Sequence, residues 1–343
     1  MNAVPLLTVD NVSVEFAARG GAPLGLGKRV LRAVNGVTLE VRPGEALGLV
    51  GESGSGKSTL GRAILGLEPT TGGMVTFDGL RVGEGRSADI ARLRRETAMV
   101  FQDPYGSLNP KMTAAEAIAE VLQVHRKVSP ADIPARVAEL LTTVGLRPEL
   151  GGRRPSSLSG GQCQRVGVAR ALAVDPRLII ADECVAALDV SIQGQIINLF
   201  MDLRERMDLA LIFIAHDLAI VRRLCDRIAV MYLGQIVEEG PTEAVFNDPR
   251  HPYTQALIRA IPEIDPDLPL PADPLSGDPP SPLSLPTGCT FHPRCVHATA
   301  PCRTDPPPAA RISPGRRWTC ILAPGAAAPG ISLPSQPEKE LTR

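Results

Sequence analysis

A glycine-rich run near the amino terminus has the residue types and spacing that bind phosphate groups. The segment "GESGSGKST" at 51–59 fits the pattern G-x-x-x-x-G-K-[ST], with a short apolar strand before it and a helical pattern after it. Its glycines allow backbone N–H groups to face phosphate oxygens, and the following helix adds a positive dipole. Lys57 would reach the β- and γ-phosphates, and the Ser58 hydroxyl would ligate Mg²⁺. The candidate phosphate-binding residues are Gly51, Ser53, Gly54, Ser55, Gly56, Lys57, Ser58 and Thr59.

A pair of acids ends an apolar run farther along the chain. In "LIIADECVAALDV", 178–190, four apolar residues lead into Asp182 and Glu183. Asp182 would complete the magnesium shell, and Glu183 would orient or deprotonate the attacking water. The alternative is that both acids merely cap a turn, and the presence of the phosphate loop in the same chain disfavours it. Cys184 and Ala186 are bland for an active-site turn, which raises the question of whether the chain has lost the chemistry. Because Glu183 is present, we predict an active ATPase.

Periodic apolar runs predict an α/β fold with a parallel sheet. Alternating residues indicate half-buried strands, and continuous apolar runs separated by helices indicate buried parallel ones. The predicted elements are strands at 6–16, 29–41 and 45–50, helices within 113–146, and buried strands at 177–181, 209–215 and 227–233.

Composition narrows the class of protein. The 343 residues allow one large domain with an appendage, or two domains, and 44% hydrophobic content supports a substantial core. A net charge of −1 gives no reason to expect nucleic acid as a partner. No stretch approaches the roughly 18 apolar residues that cross a bilayer, and the start lacks the basic region of a signal peptide. We therefore expect a cytosolic chain that reaches a membrane only through partners.

The order of the remaining motifs resembles that of ATP-binding cassette proteins over about residues 5–245. "SLSGGQCQRVGVARAL" at 157–172 resembles the family signature, and "IAHD" carries a switch histidine, His216. The resemblance implies a P-loop NTPase (RecA-like) core, an antiparallel β subdomain and a helical signature subdomain at about 103–172. It implies that Glu183 and His216 are catalytic and that ATP is the nucleotide. The residues it adds to the nucleotide and Mg²⁺ sites are Gln102, Ser159, Gly160, Gly161, Gln162, Asp182, Asp189 and Phe16.

Three of these assignments have specific implications. Gln102 would join Ser58 and Asp182 around Mg²⁺. In the family, the signature closes on the nucleotide of a second subunit, so a partner cassette is implied, and a heterodimer is expected. Phe16 is the candidate for stacking on adenine, with a buried strand residue as the alternative.

Finer features resemble the ATP-binding subunits of oligopeptide and dipeptide importers, although nickel importers share the pattern. They are "MVFQDPYGSLNP" at 99–110, "VMYLGQIVEEG" at 230–240 and "HPYTQAL" at 251–257. This resemblance implies two membrane permease subunits, an extracytoplasmic substrate-binding protein, and a peripheral position at the cytoplasmic face of the inner membrane. One alternative is a nucleotide-binding partner with a degenerate composite site. Another is a soluble cassette acting on ribosomes or DNA, which usually has a second cassette or long insertions.

The carboxyl-terminal part has a different composition. We divide the chain into a cassette at 1–245, an irregular extension at 246–322 with a proline-rich connector at 262–286, and a disordered tail at 323–343. "GCTFHPRC" also resembles the extension of peptide importers.

Four cysteines crowd this extension: Cys289, Cys295, Cys302 and Cys320. Their spacing is not that of a zinc ribbon, yet four thiolates can hold Zn²⁺ or a [4Fe–4S] cluster. Reduced, metal-free thiols are the alternative. The resemblance favours an iron–sulfur cluster over zinc, because some members of the subfamily carry one. We read His292 and His297 as solvated loop residues.

Overall fold

The computed structural model describes residues 4–18, 29–82, 87–261, 275, 277–313 and 315–321. Most of the predicted glycine-rich loop after the first strand, the first half of the proline-rich connector and the predicted disordered tail lie outside these residues. Within the part that is described, no helix has both the length and the apolar character needed to span a bilayer.

The predicted elements are present close to their expected bounds. The strands are β1 Leu7–Ala18, β2 Arg29–Val41, β3 Ala46–Val50, β4 Gly72–Phe77, β5 Leu80–Val82, β6 Thr97–Val100, β7 Leu178–Asp182, β8 Ala210–Ala215, β9 Arg227–Tyr232, β10 Gln235–Pro241, β11 Ala309–Ser313 and β12 Arg316–Thr319. The helices are α1 Lys57–Ile64, α2 Ser87–Glu96, α3 Ala114–His125, α4 Ile133–Thr143, α5 Gly160–Leu172, α6 Val190–Met207, α7 Leu218–Leu224, α8 Thr242–Asn247, α9 Pro252–Arg259 and α10 Ala300–Thr304. Sequence periodicity did not predict β4, β5, β6, β10 or α2, and of these β5 and β6 have only three and four residues.

The main sheet has the order β11-β12-β10-β9-β3-β8-β7-β6. The pairs from β9 through β3, β8 and β7 to β6 are parallel, as predicted for all of these strands except β6. Strands β3, β7 and β8 are buried along their whole length, which explains their continuous apolar sequences. Parallel strands end at the same edge of a sheet. The phosphate loop after β3 and the acid pair at the end of β7 therefore lie at that edge, with β8 between the two strands.

Two further units surround this sheet. Strands β2, β1, β4 and β5 form an antiparallel sheet, and its apolar face shares a core with α1 and one face of the main sheet. Helices α3, α4 and α5 pack against one another and form the helical unit expected around 103–172. The α/β fold class implied by the sequence is thereby confirmed.

The carboxyl-terminal extension is more regular than expected. Strands β11 and β12 form an antiparallel hairpin, and β12 pairs with β10, so the extension continues the main sheet. Trp318 on β12 is buried, and Phe291 belongs to the same hydrophobic core as the cassette. The extension is therefore docked on the cassette through shared core and sheet.

Candidate nucleotide-binding and hydrolysis site

The loop after β3 has a backbone that only glycine tolerates at key positions. Gly56 has a φ of +102°, and a Cβ there would lie 2.0 Å from the carbonyl oxygen of Ala33. Gly54 also has a positive φ, +78°, but faces open space. Helix α1 begins at Lys57, directly after this loop. The backbone is therefore wound tightly against β2, and an open face remains where phosphates would approach.

Lys57 is the buried cation of the loop. Its Nζ donates hydrogen bonds to the carbonyl oxygens of Gly51 and Glu52, each at 2.8 Å, and lies 4.0 Å from a carboxylate oxygen of Glu183. Burial lowers the pKa of Lys57, and the nearby carboxylates, Glu183 and Asp182 foremost, oppose that shift.

Ser58 and Asp182 meet as the magnesium prediction requires. The Ser58 hydroxyl donates to Asp182 Oδ1 at 2.7 Å, although the residues are far apart in sequence. Burial raises the pKa of Asp182, partly offset by this hydrogen bond. A hydroxyl and a carboxylate oxygen at a phosphate loop are ligands that Mg²⁺ prefers, so the donors fit the ion.

Glu183 lies beside the same loop and contacts Gln102. Gln102 Nε2 donates to Glu183 Oε2 at 3.0 Å. Glu183 has a φ of +45°, and its N–H donates to the carbonyl of Ile214 on β8 at 3.0 Å. This backbone turn carries the Glu183 side chain beyond the strand end. Glu183 and His216 line one pocket of about 30 Å³, so the two predicted catalytic residues lie together.

The unusual turn after Glu183 is well packed. Cys184 is 1% exposed, and burial raises its pKa to about 12, so it is a neutral core residue. Ala186 is half-buried, and its N–H donates to the Glu183 carbonyl at 3.0 Å. Ala186 lines the pocket that contains His216, so a hydroxyl at position 186 would lie near the catalytic residues.

The signature begins a helix with a capping box. Ser159 Oγ accepts from the N–H of Gln162 at 3.3 Å, and Gln162 Oε1 accepts from the N–H of Ser159 at 3.0 Å. Gly161 is buried against Ile192, while Ser159 stays exposed. Asp189 is exposed as well. The signature serine and Asp189 therefore face solvent, where a second subunit could reach them.

The segment after Gln102 contacts the signature helix. Tyr105 Oη donates to the carbonyl of Leu158 at 3.2 Å, and Arg170 Nη1 donates to the carbonyl of Ser107 at 2.6 Å. These contacts join the segment after Gln102 directly to the start and to the body of the signature helix.

The structure decides part of the Phe16 question. Phe16 lies on β1 opposite Leu31 and is 36% exposed. The alternative of a fully buried strand residue is therefore wrong. Adenine stacking by Phe16 stays a prediction.

Sequence reasoning missed three residues at the loop. Glu52 accepts two hydrogen bonds from Arg294, and its N–H donates to Tyr253 Oη at 2.8 Å. Tyr253 lies in "HPYTQAL" and Arg294 in "GCTFHPRC", the segments that resemble peptide importers. These motifs were the available signal, but nothing in their spacing connects them to the phosphate loop.

The four extension cysteines converge on one cavity. Cys289, Cys295, Cys302 and Cys320 all line it, and its volume is about 20 Å³, close to that of one water. His292 and His297 line it too and are half-buried, so their prediction as solvated loop residues is wrong.

The donors of this cavity suit a thiolate-bound metal, but their arrangement does not hold one. Among the described residues, no three His, Cys, Asp or Glu side chains are placed to bind a metal ion. Burial raises the pKa of Cys289, and that of Cys295 to about 11, so these thiols are protonated at neutral pH.

A parallel core that presents a phosphate loop and an acid pair at one edge, beside a helical unit with an exposed serine–glycine helix start, defines the ATP-binding cassette class of ATPases. Two family models match the chain: the ABC transporter model over residues 34–186, and the oligopeptide/dipeptide transporter C-terminal region over residues 237–302.

Similar proteins agree with this class. A probable peptide ABC transporter ATP-binding protein, y4tS, of Sinorhizobium fredii is 49% identical over 94% of this chain and 92% of its own length. The oligopeptide transport ATP-binding protein OppF of Salmonella typhimurium is 47% identical over 90% of this chain and 95% of its own.

The fold also matches a solved cassette. A dimeric post-hydrolysis state of the ATP-binding cassette MJ0796, bound to ADP and Pi, aligns with a TM-score of 0.61 at 29% identity, over 69% of this chain and 98% of that one. The chain belongs to the ABC transporter family, as an ATPase subunit of its oligopeptide/dipeptide transporter branch.

Proposed function

We propose that this chain is one of two cassettes whose ATP binding and hydrolysis drive peptide import through membrane permeases. The observation that carries the proposal is the meeting of distant residues at the phosphate loop: Asp182 lies 2.7 Å from Ser58, and Glu183 lies 3.0 Å from Gln102. The first contact brings together two proposed Mg²⁺ ligands from distant parts of the chain, and Glu183 also lies 4.0 Å from Lys57 of the loop.

Each side chain has a role in the proposed reaction. Ser58 and Asp182 would hold Mg²⁺, with Gln102, whose side chain donates to Glu183, as the proposed third ligand, and the ion would neutralise charge on the β- and γ-phosphates. Glu183 accepts a proton from the attacking water or orients it. His216, across the same pocket, would orient the γ-phosphate and the water.

The site is completed by a second cassette. The exposed Ser159, at a helix start with Gly160 and Gly161, can donate to the γ-phosphate of a nucleotide held by the partner. Asp189 would reach across the same interface. We propose a heterodimer, because importers of this family commonly use two different ATPase subunits and the signature wording "SGGQCQR" resembles that of the second one.

The family supports a proposal for the cargo and the location. The relatives named above are described as peptide or oligopeptide transport proteins, and we propose peptides as cargo, delivered by an extracytoplasmic substrate-binding protein. The chain would act peripherally at the cytoplasmic face of the inner membrane. We retain the division at residues 245 and 322 as a proposal, with the extension docked on the cassette.

For the cysteine cavity we make a separate proposal, that it binds a metal centre. The convergence of four thiols on one cavity supports a thiolate centre, an iron–sulfur cluster with zinc as the alternative, which would form only if the side chains rearrange. Anaerobically purified chain should contain iron and acid-labile sulfide and should absorb visible light. Material with neither iron nor zinc would end this proposal.

Transport itself provides the test. The chain, its partner cassette and the permeases should be reconstituted in vesicles with the substrate-binding protein, and labelled dipeptide, oligopeptide and Ni²⁺ supplied separately. We expect peptide uptake that depends on ATP and fails with Lys57→Ala. Nickel uptake without peptide uptake would overturn the cargo, and unchanged uptake by Lys57→Ala would assign the work to the other cassette.

A further inference from the structure

Glu52, which directly follows the first glycine of the phosphate loop, forms hydrogen bonds with three other residues. Its carboxylate accepts from Arg294 Nη1 at 2.7 Å and from Arg294 Nη2 at 3.0 Å. Its backbone N–H donates to Tyr253 Oη at 2.8 Å. Its carbonyl accepts from Lys57 Nζ at 2.8 Å. Two of the three contacts come from the part of the chain beyond residue 245.

Tyr253 and Arg294, the two residues beyond position 245 that contact Glu52, are themselves held by buried neighbours. Tyr253 is fully buried at the start of α9, and its N–H donates to His251 Nδ1 at 3.1 Å. The Tyr253 ring packs on Phe291 with centroids 5.4 Å apart, and Phe291 begins the turn that carries Arg294. The Arg294 side chain is 5% exposed. A buried aromatic cluster therefore fixes both groups against the loop.

The negative charge of Glu52 connects its contact with Arg294 to nucleotide affinity. A carboxylate at the phosphate loop repels a triphosphate, and the repulsion grows where water is excluded. A bidentate guanidinium neutralises that carboxylate and fixes its direction. Pairing with Glu52 raises the pKa of Arg294, in keeping with a strong contact.

We propose that Arg294 and Tyr253 are positioning residues for the phosphate loop, so that the carboxyl-terminal extension sets the affinity of this cassette for nucleotide. The proposal rests on the proposed function, because it requires the loop to bind ATP. Arg294 lies in the turn between Cys289 and Cys295, so a rearrangement of the cysteine cavity would move the same turn.

The competing explanation is that Arg294 only anchors the extension. Arg317 provides a matched control, because its Nε donates to Glu239 Oε2 at 2.7 Å and joins the extension to β10 without contacting the loop. If anchoring alone matters, Arg294→Gln and Arg317→Gln should have the same effect on nucleotide. If positioning matters, only Arg294→Gln should change affinity.

The experiment uses the full-length chain with a non-hydrolysable ATP analogue and Mg²⁺. Calorimetry gives the Kd, and thermal unfolding without nucleotide reports stability. We expect Arg294→Gln to raise the Kd about tenfold, equivalent to about 1.4 kcal/mol, and Arg317→Gln to change it less than about twofold. The double variant Glu52→Gln/Arg294→Gln should recover part of the affinity, because the uncompensated carboxylate is gone.

A milder variant guards against misfolding. Tyr253→Phe keeps the ring in its cluster and removes only the acceptor of the Glu52 N–H, and it should raise the Kd about threefold. In turnover assays with the partner cassette, both variants should raise KM for ATP more than they lower kcat.

Three results would overturn the inference. They are wild-type affinity in both Arg294→Gln and Tyr253→Phe, an equal loss in Arg317→Gln, and no recovery in the double variant. Failure of the wild-type chain to bind the analogue is a different result, since it would also overturn the proposed function.

Discussion

Replacing Glu183 by glutamine tests the central assignment. Glutamine has nearly the same size, and its carbonyl oxygen can still accept the hydrogen bond that Gln102 Nε2 donates at 3.0 Å. The change removes the negative charge that lies 4.0 Å from Lys57 Nζ. Because the hydrogen bond with Gln102 can be retained, the loop and the Ser58–Asp182 pair should keep their geometry, while proton acceptance and this charge are lost.

The size of the effect follows from the role. Loss of a general base lowers turnover by about 10²–10⁴, which corresponds to about 3–5 kcal/mol of barrier at 1.36 kcal/mol per factor of ten. The Glu183 carboxylate lies 4.0 Å from Lys57 Nζ, beyond hydrogen-bond distance, and Lys57 keeps its hydrogen bonds to two carbonyl oxygens, so the loss of this charge should change ATP binding far less than turnover. Turnover should fall steeply while ATP affinity stays within about fivefold.

The assay measures phosphate release and retained ATP in the same sample. The chain and its partner cassette are mixed with Mg²⁺ and ATP, and nucleotide bound after gel filtration is identified. Glu183→Gln should accumulate intact ATP in the paired form. Glu205→Gln, an exposed carboxylate on α6, is the control and should behave as wild type.

The result that refutes the reasoning is clear. Turnover of Glu183→Gln within about threefold of wild type would mean that Glu183 is not the base. If the same substitution in the partner cassette abolishes turnover, hydrolysis belongs to the partner, and this chain is the degenerate subunit.

Three further predictions concern the turn, the loop and a buried histidine. Ala186→Ser places a hydroxyl in the catalytic pocket and should raise kcat up to about tenfold, measured by phosphate release; a fall in kcat would show that alanine is the adapted residue. Gly56→Ala should abolish ATP binding and strongly lower the melting temperature, because its Cβ would lie 2.0 Å from the carbonyl oxygen of Ala33. Gly54→Ala, whose Cβ meets open space, should destabilise the nucleotide-free chain by only about 1–2 kcal/mol. Equal losses of melting temperature in the two variants would contradict this prediction. Burial lowers the pKa of His251 to about 3, so below about pH 6.5 only the unfolded chain takes up its proton, and the free energy of unfolding should drop by about 2 kcal/mol between pH 7 and 5. Urea unfolding of His251→Asn, which keeps the helix cap, should lack this part of the pH slope, and an unchanged slope would refute the assignment.

Local pattern was sufficient for most of the fold. Residues 29–41 and 209–215 were predicted within about one residue of β2 and β8, because alternation and continuous apolar runs reflect one-sided and two-sided burial. Short β5, with three residues, has too few positions to show a period. The extension hairpin was missed because its pairing with β10 is a long-range contact.

The sequence by itself determined the chemistry at the phosphate loop. The glycines, Lys57 and Ser58 are contiguous, and their backbone demands can be read from residue type alone. It also determined that Asp182 and Glu183 end a buried strand.

Only the tertiary structure decided which distant residues meet. Asp182 reaches Ser58, and Arg294 reaches Glu52 across 242 positions, because the sheet order and the docked extension bring these segments together. Spacing along a chain fixes which residues share a local turn or face, but contacts between remote segments depend on packing of the whole core. The cysteine cavity shows the same limit, since the sequence gathers four thiols near one another but packing sets the space between them.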